Sequence, residues 1–550
     1  MDDPVLHGSL APAAHGYASD LEGRLKDPPV SRERRVHLQQ LCRDVLAGKR
    51  LLIASNRGPL EFSPAPEGGL QARRGRGGAV STLKAACESC RVTWVACAMN
   101  ESDREALAAA GSDPIQSPMP GHDVRVRFIS PIKDEYHKYY NIVSNPLLWF
   151  LQHSMWNSPW TPNITEAVHD AWNRGYVPVN KLVASALAEE AQRADSSKLV
   201  LLQDYHLYLA PGYLRQEAPD AFIMHFTHIP WPGVNHWQLL PVTMREPVLR
   251  NLLACDIVGF QNAQSVYNFL HTCRSTLRGA HVDEDACSVE VNGWTTWVRA
   301  YPVTIDVLGL RRSLASHGAR SYVDSLRSKC GEQTIIRIDR AEPSRNIVRG
   351  FKSFDRLLNR FPALSGKVRF LAFLAPSRSR IWEYQRHMDE INKLVDFINK
   401  KHGNEEWRPI ELILDSNHLQ NLAAMSLYDV LLVNPVTDGM SLVAKEGPIA
   451  NSKDGVLVLS DTTGAYEQLQ EGAIGVCPTD LEGTSEALYQ ALTLPREERR
   501  QMQDALRRVV ESEDPVLWLY QQMAELQKRV PLRAGAEAQE TAQPLGPPAV

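Results

Sequence analysis

The feature that most constrains the fold is a series of nine short apolar runs that alternate with longer stretches of helical periodicity. Several runs are continuous Val, Ile and Leu, which is typical of parallel strands that are covered on both faces. The predicted strands are residues 50–55, 199–203, 221–227, 256–260, 334–338, 368–373, 411–414, 429–433 and 455–460. Strands that alternate with helices predict an α/β fold in which sheets are flanked by helices.

The chain has 550 residues, which is too long for a single hydrophobic core. A break near Tyr301-Pro302 divides it into two similar halves. The final helix is expected to begin at Asp514-Pro515, which form a favourable N-cap and first-turn pair. The expected division is 1–45, a tail and leading helix that are partly disordered; 46–300, a first domain; 301–513, a second domain; 514–530, a final helix; and 531–550, a disordered tail.

Composition excludes several classes of protein. The formal net charge is only −4, so electrostatics gives no reason to expect nucleic acid or a membrane surface as a partner. No apolar stretch approaches the length of a membrane span, and the N-terminus lacks the features of a signal peptide. The nine cysteines are scattered, and the pair Cys87-Glu-Ser-Cys90 has no second pair with which to hold a metal. We therefore expect a cytoplasmic enzyme with reduced thiols, and a homo-oligomer remains open.

One segment carries the signature of a phosphate site. Residues 438–446 read Asp-Gly-Met-Ser-Leu-Val-Ala-Lys-Glu and directly follow the apolar run 429–435. This pattern predicts a buried strand, a glycine-bearing turn and the start of a helix, whose N-terminal N–H groups favour an anion. Asp438 can accept hydrogen bonds from sugar hydroxyls, and Glu446 is expected about two turns into the helix. The segment therefore predicts a site for a phosphorylated, hydroxyl-rich ligand.

Polar residues recur at the ends of four other predicted strands. The segments are Ser55-Asn-Arg-Gly-Pro59 with the later turn Arg76-Gly-Gly-Ala79, Gln203-Asp-Tyr-His206, Thr227-His-Ile-Pro-Trp-Pro232, and Asp339-Arg-Ala-Glu-Pro-Ser-Arg345. In open α/β sheets ligands bind at the carboxyl ends of strands, so these segments are expected to form a site together. Ser344 is expected to cap a helix. The predicted apolar face of that helix is Ile347, Val348, Phe351, Phe354 and Leu358.

Each singled-out residue also has a purely structural interpretation. Asp204 could be a helix N-cap, and His228 could be a core histidine with satisfied hydrogen bonds. Arg340 and Arg345 could form surface ion pairs, and Trp149 could belong to the core. The position of these residues at strand ends favours the interpretation as a ligand site.

Taken together, the segments resemble the trehalose-6-phosphate synthase family, which are retaining glycosyltransferases of GT-B architecture. The resemblance extends from about residue 50 to about residue 525, and its elements come in the family's order. They are SNRGP, a Gly-Gly turn, YYNIVSNPLLW, QDYH, HIPWP, two basic residues five apart, APSR and DGMSLVAKE. The resemblance implies two Rossmann-like domains whose parallel sheets face each other across a cleft. It further implies that the first domain binds the acceptor, that the second binds a nucleotide sugar, and that the final helix crosses back to the first.

The resemblance also implies roles for the residues that match. The implied catalytic residues are Asp204, His228, Arg340, Arg345 and Asp438. The implied donor-binding residues are Gly77, Gly78, Arg340, Arg345, Gly439, Met440, Ser441, Leu442 and Glu446. The implied clamp for the 6-phosphate of the acceptor is Arg57, Tyr140, Trp149 and Arg378.

The chain departs from the family pattern at several positions. The family usually has His where this chain has Gln203, Lys-Gly where it has Arg345-Asn346, and Asn where it has Ser441. Cys97 stands where the family has a Trp near the acceptor, which leaves the identity of the acceptor open. Arg345 and Ser441 leave the donor nucleotide open among UDP, GDP and ADP. Gly447-Pro448 is expected to shorten or kink the helix that contains Glu446.

The implied reaction moves glucose from a nucleotide diphosphate glucose to glucose 6-phosphate with retention and gives trehalose 6-phosphate. Two arginines and a helix N-terminus can stabilise the charge on the leaving diphosphate, so neither a metal nor a cofactor is expected. One alternative is a related transferase whose acceptor is glycerol 3-phosphate or a cyclitol phosphate. The other alternative is a non-catalytic regulator that binds sugar phosphates. The retained polar residues argue against that regulator.

Overall fold

The computed structural model describes residues 31–75, 82–111, 113–118, 123–158, 160–377, 381–414 and 417–528. Within these ranges the strands form two large sheets, one from each half of the chain. The expected leading helix is α1 (Arg32–Val45), and the expected tail 531–550 lies outside the described residues. No helix in the described ranges is long and apolar enough to cross a membrane.

The first half of the chain builds a mostly parallel sheet. Its strands are β1 (Arg50–Ala54), β2 (Leu60–Pro64), β3 (Leu70–Arg74), β4 (Val92–Cys97), β5 (Ile115–Gln116), β6 (Val124–Ile129), β7 (Ser196–Gln203), β8 (Phe222–Phe226), β9 (Ile257–Phe260), β10 (His281–Asp283), β11 (Ser288–Val291) and β12 (Trp294–Ala300). Ten of them form one sheet in the order β10-β11-β12-β9-β8-β7-β1-β4-β6-β5, and β2 and β3 form a separate hairpin. The strands β9, β8, β7, β1, β4 and β6 run parallel, so their carboxyl ends meet at one edge.

The second half builds a smaller sheet. Its strands are β13 (Gln333–Arg340), β14 (Val368–Ala375), β15 (Ile410–Leu414), β16 (Val430–Val433), β17 (Val456–Ser460) and β18 (Ala473–Val476). Their order is β15-β14-β13-β16-β17-β18, and every neighbouring pair is parallel. This crossover order places β13 and β16 side by side, so the segments after them lie next to each other.

The nine predicted strands are confirmed as β1, β7, β8, β9 and β13 to β17, with ends that differ by at most three residues. Sequence analysis missed β4, β6, β12 and β18, which complete the parallel arrays. The strand β6 was not predicted because arginines alternate with its apolar residues. They are accommodated because Arg127 pairs with Glu190 at 2.8 Å and Arg125 pairs with Asp195 at 3.2 Å.

Helices cover both faces of each sheet. In the first half, after α1, they are α2 (Lys84–Ser89), α3 (Glu101–Ala110), α4 (Lys133–His137), α5 (Trp149–Gln152), α6 (Glu166–Ala171), α7 (Val177–Ala191), α8 (Ala210–Glu217), α9 (Val234–Trp237), α10 (Val242–Leu252) and α11 (Ala263–Thr276), with π-helical turns at Lys138–Leu148 and Trp172–Tyr176. In the second half they are α12 (Val307–Leu314), α13 (His317–Arg327), α14 (Ile347–Arg360), α15 (Trp382–His402), α16 (His418–Met425), α17 (Leu442–Ala450), α18 (Tyr466–Leu469), α19 (Leu481–Thr493), α20 (Arg496–Ser512) and α21 (Pro515–Lys528).

Successive side chains of strand β1 point to opposite faces of the sheet, which explains why helices pack on both faces. Leu52 and Ala54 belong to the core on one face of the first sheet, and Leu51 and Ile53 belong to the core on the other. All four are essentially unexposed, because a parallel strand in the middle of a covered sheet has no solvent face.

The chain crosses between the halves twice, and the final helix α21 packs on the first sheet. Trp518 of α21 lies edge-on to Phe226 at 5.3 Å and donates its indole N–H to the carbonyl of Tyr301 at 3.0 Å. The buried Lys445 of α17 donates to the carbonyl of Val303 in one crossing segment and pairs with Glu513 in the other, at 2.9 and 2.7 Å. These contacts fix the position of α17 relative to both crossings.

The expected helix cap at Ser344 is wrong. Ser344 lies in a 3₁₀ turn, Pro343–Arg345, and α14 begins at Ile347. Asn346 separates the 3₁₀ turn from α14 because it adopts a left-handed conformation with φ of 60°. Its side chain donates to the carbonyls of Asn434 and Pro478. The predicted apolar face is correct: Ile347, Phe351, Phe354 and Leu358 are buried, and Val348 is partly buried.

Candidate active site

A cavity of about 460 Å³ lies between the two halves, at the carboxyl ends of strands from both sheets. The residues predicted from sequence that line it are Arg57, Tyr140, Trp149, Asp204 and His228 from the first half, and Arg340, Arg345, Asp438, Met440, Ser441 and Leu442 from the second. Gly439 lies in the same turn, and Glu446 lies further along α17. The predicted residues Gly77, Gly78 and Arg378 lie outside the described residues.

Asp204 follows β7 in a conformation that few non-glycine residues adopt, with φ of 74° and ψ of 168°. Such a conformation costs about 1–3 kcal/mol and persists only where the surroundings enforce it. Here the amide of Asp204 donates to the carbonyl of Phe226 at 2.7 Å, and its Oδ1 accepts from the amide of His228 at 3.2 Å. The side chain makes no hydrogen bond that caps the following 3₁₀ turn, so the interpretation of Asp204 as a helix cap does not hold.

His228 lies beyond the end of β8 and is held by Gln203. The His228 Nε2 atom is 2.9 Å from the amide oxygen of Gln203. The ring of Phe226 makes a T-shaped contact with the imidazole, with the ring centres 4.8 Å apart. Burial lowers the pKa of His228 to about 3, so the ring is neutral at physiological pH.

Arg345 forms an ion pair with Asp438, and both side chains are largely buried, at 15% and 11% exposure. Burial alone lowers the pKa of an arginine, but the nearby carboxylates, first that of Asp438, raise the pKa of Arg345 above its ordinary value. The carbonyl of Arg345 accepts a hydrogen bond from Arg337, which is itself held by Asp339 at 2.8 Å and Asn434 at 2.9 Å. Arg337 therefore ties the turn that carries Arg345 to Asp339 and Asn434.

Arg340 is the last residue of β13 and points into the cleft. Its guanidinium lies 5.9 Å from the ring centre of Trp149, which belongs to the opposite half. It also pairs with Glu342 at 3.2 Å, and its side chain remains 49% exposed. An exposed cation that meets an aromatic ring across a cleft is available to an anionic ligand.

The turn after β16 is shaped by close packing of the two halves. A Cβ atom on Gly439 would lie 2.1 Å from the carbonyl oxygen of His228, so only glycine fits there. Ser441 adopts a left-handed φ of 69° immediately before α17. The N-terminus of α17 therefore lies at the cavity wall, where its N–H groups and dipole favour an anion.

Glu446 lies in the fifth position of α17, about one turn into the helix and not two as predicted from the sequence. The helix is nine residues long and contains Pro448 in its last turn. Burial raises the pKa of Glu446 to about 7. Hydrogen bonds donated by ligand hydroxyls would favour the charged form of this buried carboxyl group.

We expect the substitution Glu446→Gln to stabilise the protein at pH 8 and to change stability little at pH 5. The folded state retains the carboxyl proton up to about pH 7, whereas the unfolded chain loses it near pH 4.5, the ordinary pKa of a glutamate. The contribution of Glu446 thus favours folding below pH 4.5 and is lost as the pH rises through about 7. Glutamine removes that loss, which corresponds to at most about 3 kcal/mol. Thermal unfolding at both pH values tests this, and an equal effect at the two would contradict it.

Aromatic rings line the other side of the cavity. Tyr140 stacks between Tyr136 and His206, with interplanar angles of 9° and 12°. Trp149 stacks on the buried His153 at 3.9 Å between ring centres. Arg57 is 44% exposed, and its nearest carboxylate is Glu61 at 3.9 Å, which is the long limit of an ion pair.

Sequence reasoning missed several residues that line the cavity. They are Ser55, Asn56, Thr82, Gln203, Tyr205, His206, Ile229, Gln261, Val303, Ile338, Asp339, Ala375, Asn421 and Val443. Many lie within or beside the quoted motifs and could have been found by taking each motif as a whole. Asn421 of α16 has no such signal, because only the tertiary fold brings α16 to the cleft. In the part of the chain that the structure describes, no group of three or more His, Cys, Asp or Glu side chains is placed to hold a metal.

Comparison with known proteins agrees with this geometry. The model of glycosyltransferase family 20 matches residues 49–528. The chain belongs to glycosyltransferase family 20. Within the family, the trehalose-6-phosphate synthase of Mycobacterium avium (strain 104) is 31% identical over 478 residues, covering 85% of this chain and 93% of that protein.

Solved structures of similar proteins confirm the predicted fold. The alpha,alpha-trehalose 6-phosphate synthase of Burkholderia multivorans is 25% identical, with a TM-score of 0.75 that covers 90% of this chain and 100% of that one. A UDP-forming alpha,alpha-trehalose-phosphate synthase of Burkholderia xenovorans, in complex with glucose-6-phosphate, is 25% identical, with a TM-score of 0.71 over 87% of this chain and 100% of that one. The predicted GT-B architecture and the predicted class, a glycosyltransferase, are thus confirmed.

Proposed function

We propose that this protein is an alpha,alpha-trehalose-phosphate synthase that transfers glucose from a nucleotide diphosphate glucose to glucose 6-phosphate with retention. The observation that carries the proposal is that positive groups lie on both sides of one cavity. Arg340, Arg345 and the N-terminus of α17 lie on one side, and Arg57 with the aromatic rings lies on the other. Two separate positive regions in one cavity suit two anionic substrates. The names of the similar synthases support the same reaction.

Each half of the chain is proposed to bind one substrate. Residues 46–300 contain the strands of the first sheet and are proposed to bind the acceptor, with Arg57, Tyr140, Trp149 and Arg378 around its phosphate. Residues 301–513 contain the second sheet and are proposed to bind the donor, with Gly77 and Gly78 approaching its diphosphate from the first half. The segment 514–530 then joins the acceptor side through α21.

The mechanism follows from the groups present. Negative charge grows on the diphosphate as the glycosidic bond breaks, and Arg340, Arg345 and the N-terminus of α17 stabilise that charge. Asp204 and Asp438 accept hydrogen bonds from hydroxyls of the transferred sugar, and His228 is neutral and orients it. Glu446 accepts from the ribose. By family resemblance, the acceptor hydroxyl attacks from the face that the diphosphate leaves and passes its proton to a phosphate oxygen. No covalent glycosyl adduct and no metal enter this proposal.

The test is a matrix of UDP-, GDP- and ADP-glucose against glucose 6-phosphate, glycerol 3-phosphate and a cyclitol phosphate, read by mass spectrometry. We expect a phosphorylated disaccharide and a nucleoside diphosphate, with glucose 6-phosphate as the acceptor and no loss of activity in EDTA. UDP-glucose is the first donor to test, because the similar Burkholderia xenovorans synthase is UDP-forming. Absence of product with every donor would overturn the proposal.

One observation keeps a second acceptor in the test. Cys97, in place of the Trp usual in the family, is the last residue of β4 and is buried, and burial raises its pKa to about 12. A small apolar thiol supplies neither the ring face nor the N–H of an indole, and Cys97 is not among the residues that line the cavity, so an indole contact with the acceptor has no counterpart at this position. Product from the cyclitol phosphate alone would favour the related pseudo-glycosyltransferase.

A cytoplasmic location is part of the proposal, and it is supported by nine cysteines that are all free thiols.

We expect Arg57→Ala to raise the KM for glucose 6-phosphate by roughly one to two orders of magnitude and to leave the KM for the donor nearly unchanged. The guanidinium is half exposed, and within the described residues its ion-pair partner is Glu61, 3.9 Å away, so it is available to a phosphate dianion. Loss of a charge-assisted pair corresponds to about 1.5–3 kcal/mol of binding. Arg104→Ala is the control, because Arg104 pairs with Glu101 on the surface of α3. An unchanged acceptor KM would place the phosphate elsewhere.

A further inference from the structure

The contact between Gln203 and His228 goes beyond the family pattern, in which a histidine usually precedes Asp-Tyr-His. Gln203 is the last residue of β7 and is fully buried. Its amide oxygen lies 2.9 Å from His228 Nε2, whereas its own Nε2 is buried and has no hydrogen-bond partner among the described residues. An amide oxygen can only accept a hydrogen bond, so in this arrangement the proton is on His228 Nε2.

We propose that Gln203 is a positioning residue that keeps the neutral imidazole of His228 protonated on Nε2, so that Nδ1 accepts a hydrogen bond from a hydroxyl of the transferred sugar. The catalytic use of this tautomer rests on the function proposed above. The tautomer itself does not, because it is a property of the protein without substrate.

Three contacts hold His228 in place for this role. Its amide donates to Asp204 Oδ1 at 3.2 Å, its carbonyl accepts from Gln261 Nε2 at 3.3 Å, and its ring makes a T-shaped contact with Phe226. The neutral ring carries a single proton, because burial holds its pKa near 3. With the backbone fixed and the proton assigned to Nε2, Nδ1 is the remaining polar atom of a side chain that lines the cavity.

The substitution of glutamine for histidine at position 203 matters because of its chemistry. A histidine partner can exchange its own proton and so allow either tautomer of His228. A glutamine offers a fixed oxygen, and turning its amide over would instead place an N–H₂ group against His228 Nε2. That reversed arrangement would protonate Nδ1 and make the ring a donor toward the sugar, so the two arrangements predict opposite tautomers.

Nitrogen NMR of protein labelled with ¹⁵N in histidine distinguishes them directly. The signals of His228 are assigned from those that disappear in His228→Asn. We expect a pyrrole-like Nε2 and a pyridine-like Nδ1 in the wild-type protein. Gln203→Met, which has similar volume but no acceptor oxygen, should lose this fixed pattern.

Kinetics provides the second measurement. Gln203→Met should lower kcat/KM for the nucleotide sugar about tenfold, the loss of one hydrogen bond of about 1.4 kcal/mol. Gln203→His should retain most of the wild-type kcat/KM, since histidine is the residue usual in the family. The control is Gln522→Met, which removes a buried amide that donates to the carbonyl of Trp518 in α21, away from the cavity. We expect normal kcat/KM in that variant.

The outcomes separate the two proposals. A pyridine-like Nε2 in the wild-type protein, or an unchanged tautomer in Gln203→Met, would overturn the role of Gln203 even if the protein is an active synthase. The expected tautomer in a protein that gives no product with any donor would support the role of Gln203 in fixing the ring while overturning the synthase function.

Discussion

Arg340→Ala should reduce kcat by about two to three orders of magnitude and change the KM for the donor much less. This is the range observed when one preorganised donor is removed from a site that stabilises developing charge. Arg340 ends β13, is half exposed and faces Trp149 across the cleft, so it can approach a diphosphate held between the halves. Because the charge on the leaving group grows during bond breaking, the loss should fall on kcat rather than on binding.

Two further variants separate this role from simple ion pairing. Arg340→Lys keeps a cation beside the buried Glu342, so it should preserve stability while it loses part of the activity. Arg356→Ala is the matched control, because Arg356 pairs at 2.9 Å with Glu482 on the surface of the same half and both side chains are exposed. Such pairs contribute no more than about 1 kcal/mol to stability, and kcat should remain normal. A near-normal kcat in Arg340→Ala, with an unchanged circular dichroism spectrum, would remove Arg340 from the mechanism.

The parallel sheets could be predicted from the sequence because strands covered on both faces leave a strong local signal. The run from 429 to 433 is almost wholly apolar, and it forms β16 with every residue buried from Val430 to Val433. The strand β6 escaped prediction because its two arginines interrupt the apolar run by which the other strands were recognised. Their acidic partners come from α7 and from residue 195, which lie more than sixty residues away in sequence.

The candidate site was largely predictable for a related reason. Parallel strands converge at their carboxyl ends, so motifs at those positions share one cavity although they are hundreds of residues apart. Local pattern failed where the tertiary structure decides. Ser344 has the chemistry of a cap, but the left-handed Asn346 separates it from α14. The contacts of Gln203 with His228 and of Arg340 with Trp149 also depend on how strands and halves meet, which no local pattern contains.

The second large effect is expected at the ion pair of Arg345 and Asp438, where stability and catalysis depend on the same contact. Arg345→Ala would leave the carboxylate of Asp438 largely buried without its cation. Removal of one partner of a buried pair typically destabilises a protein by about 3–5 kcal/mol, so unfolding by denaturant should occur at a clearly lower concentration. The kcat should also fall by about two to three orders of magnitude, because a cation at the leaving group is lost.

The two losses can be separated with variants of the same pair. Arg345→Lys keeps the charge and introduces the residue usual in the family, so both losses should be small. The double variant Arg345→Met, Asp438→Asn removes both charges and should recover most of the stability, since no unpaired charge remains buried, but it should not recover kcat. Recovery of both would show that Arg345 acts only through the fold, whereas recovery of neither would mean that the pair does not account for the loss of stability. Recovery of stability alone would assign to the charged pair, Arg345 together with Asp438, a part in the reaction that its structural contacts do not explain.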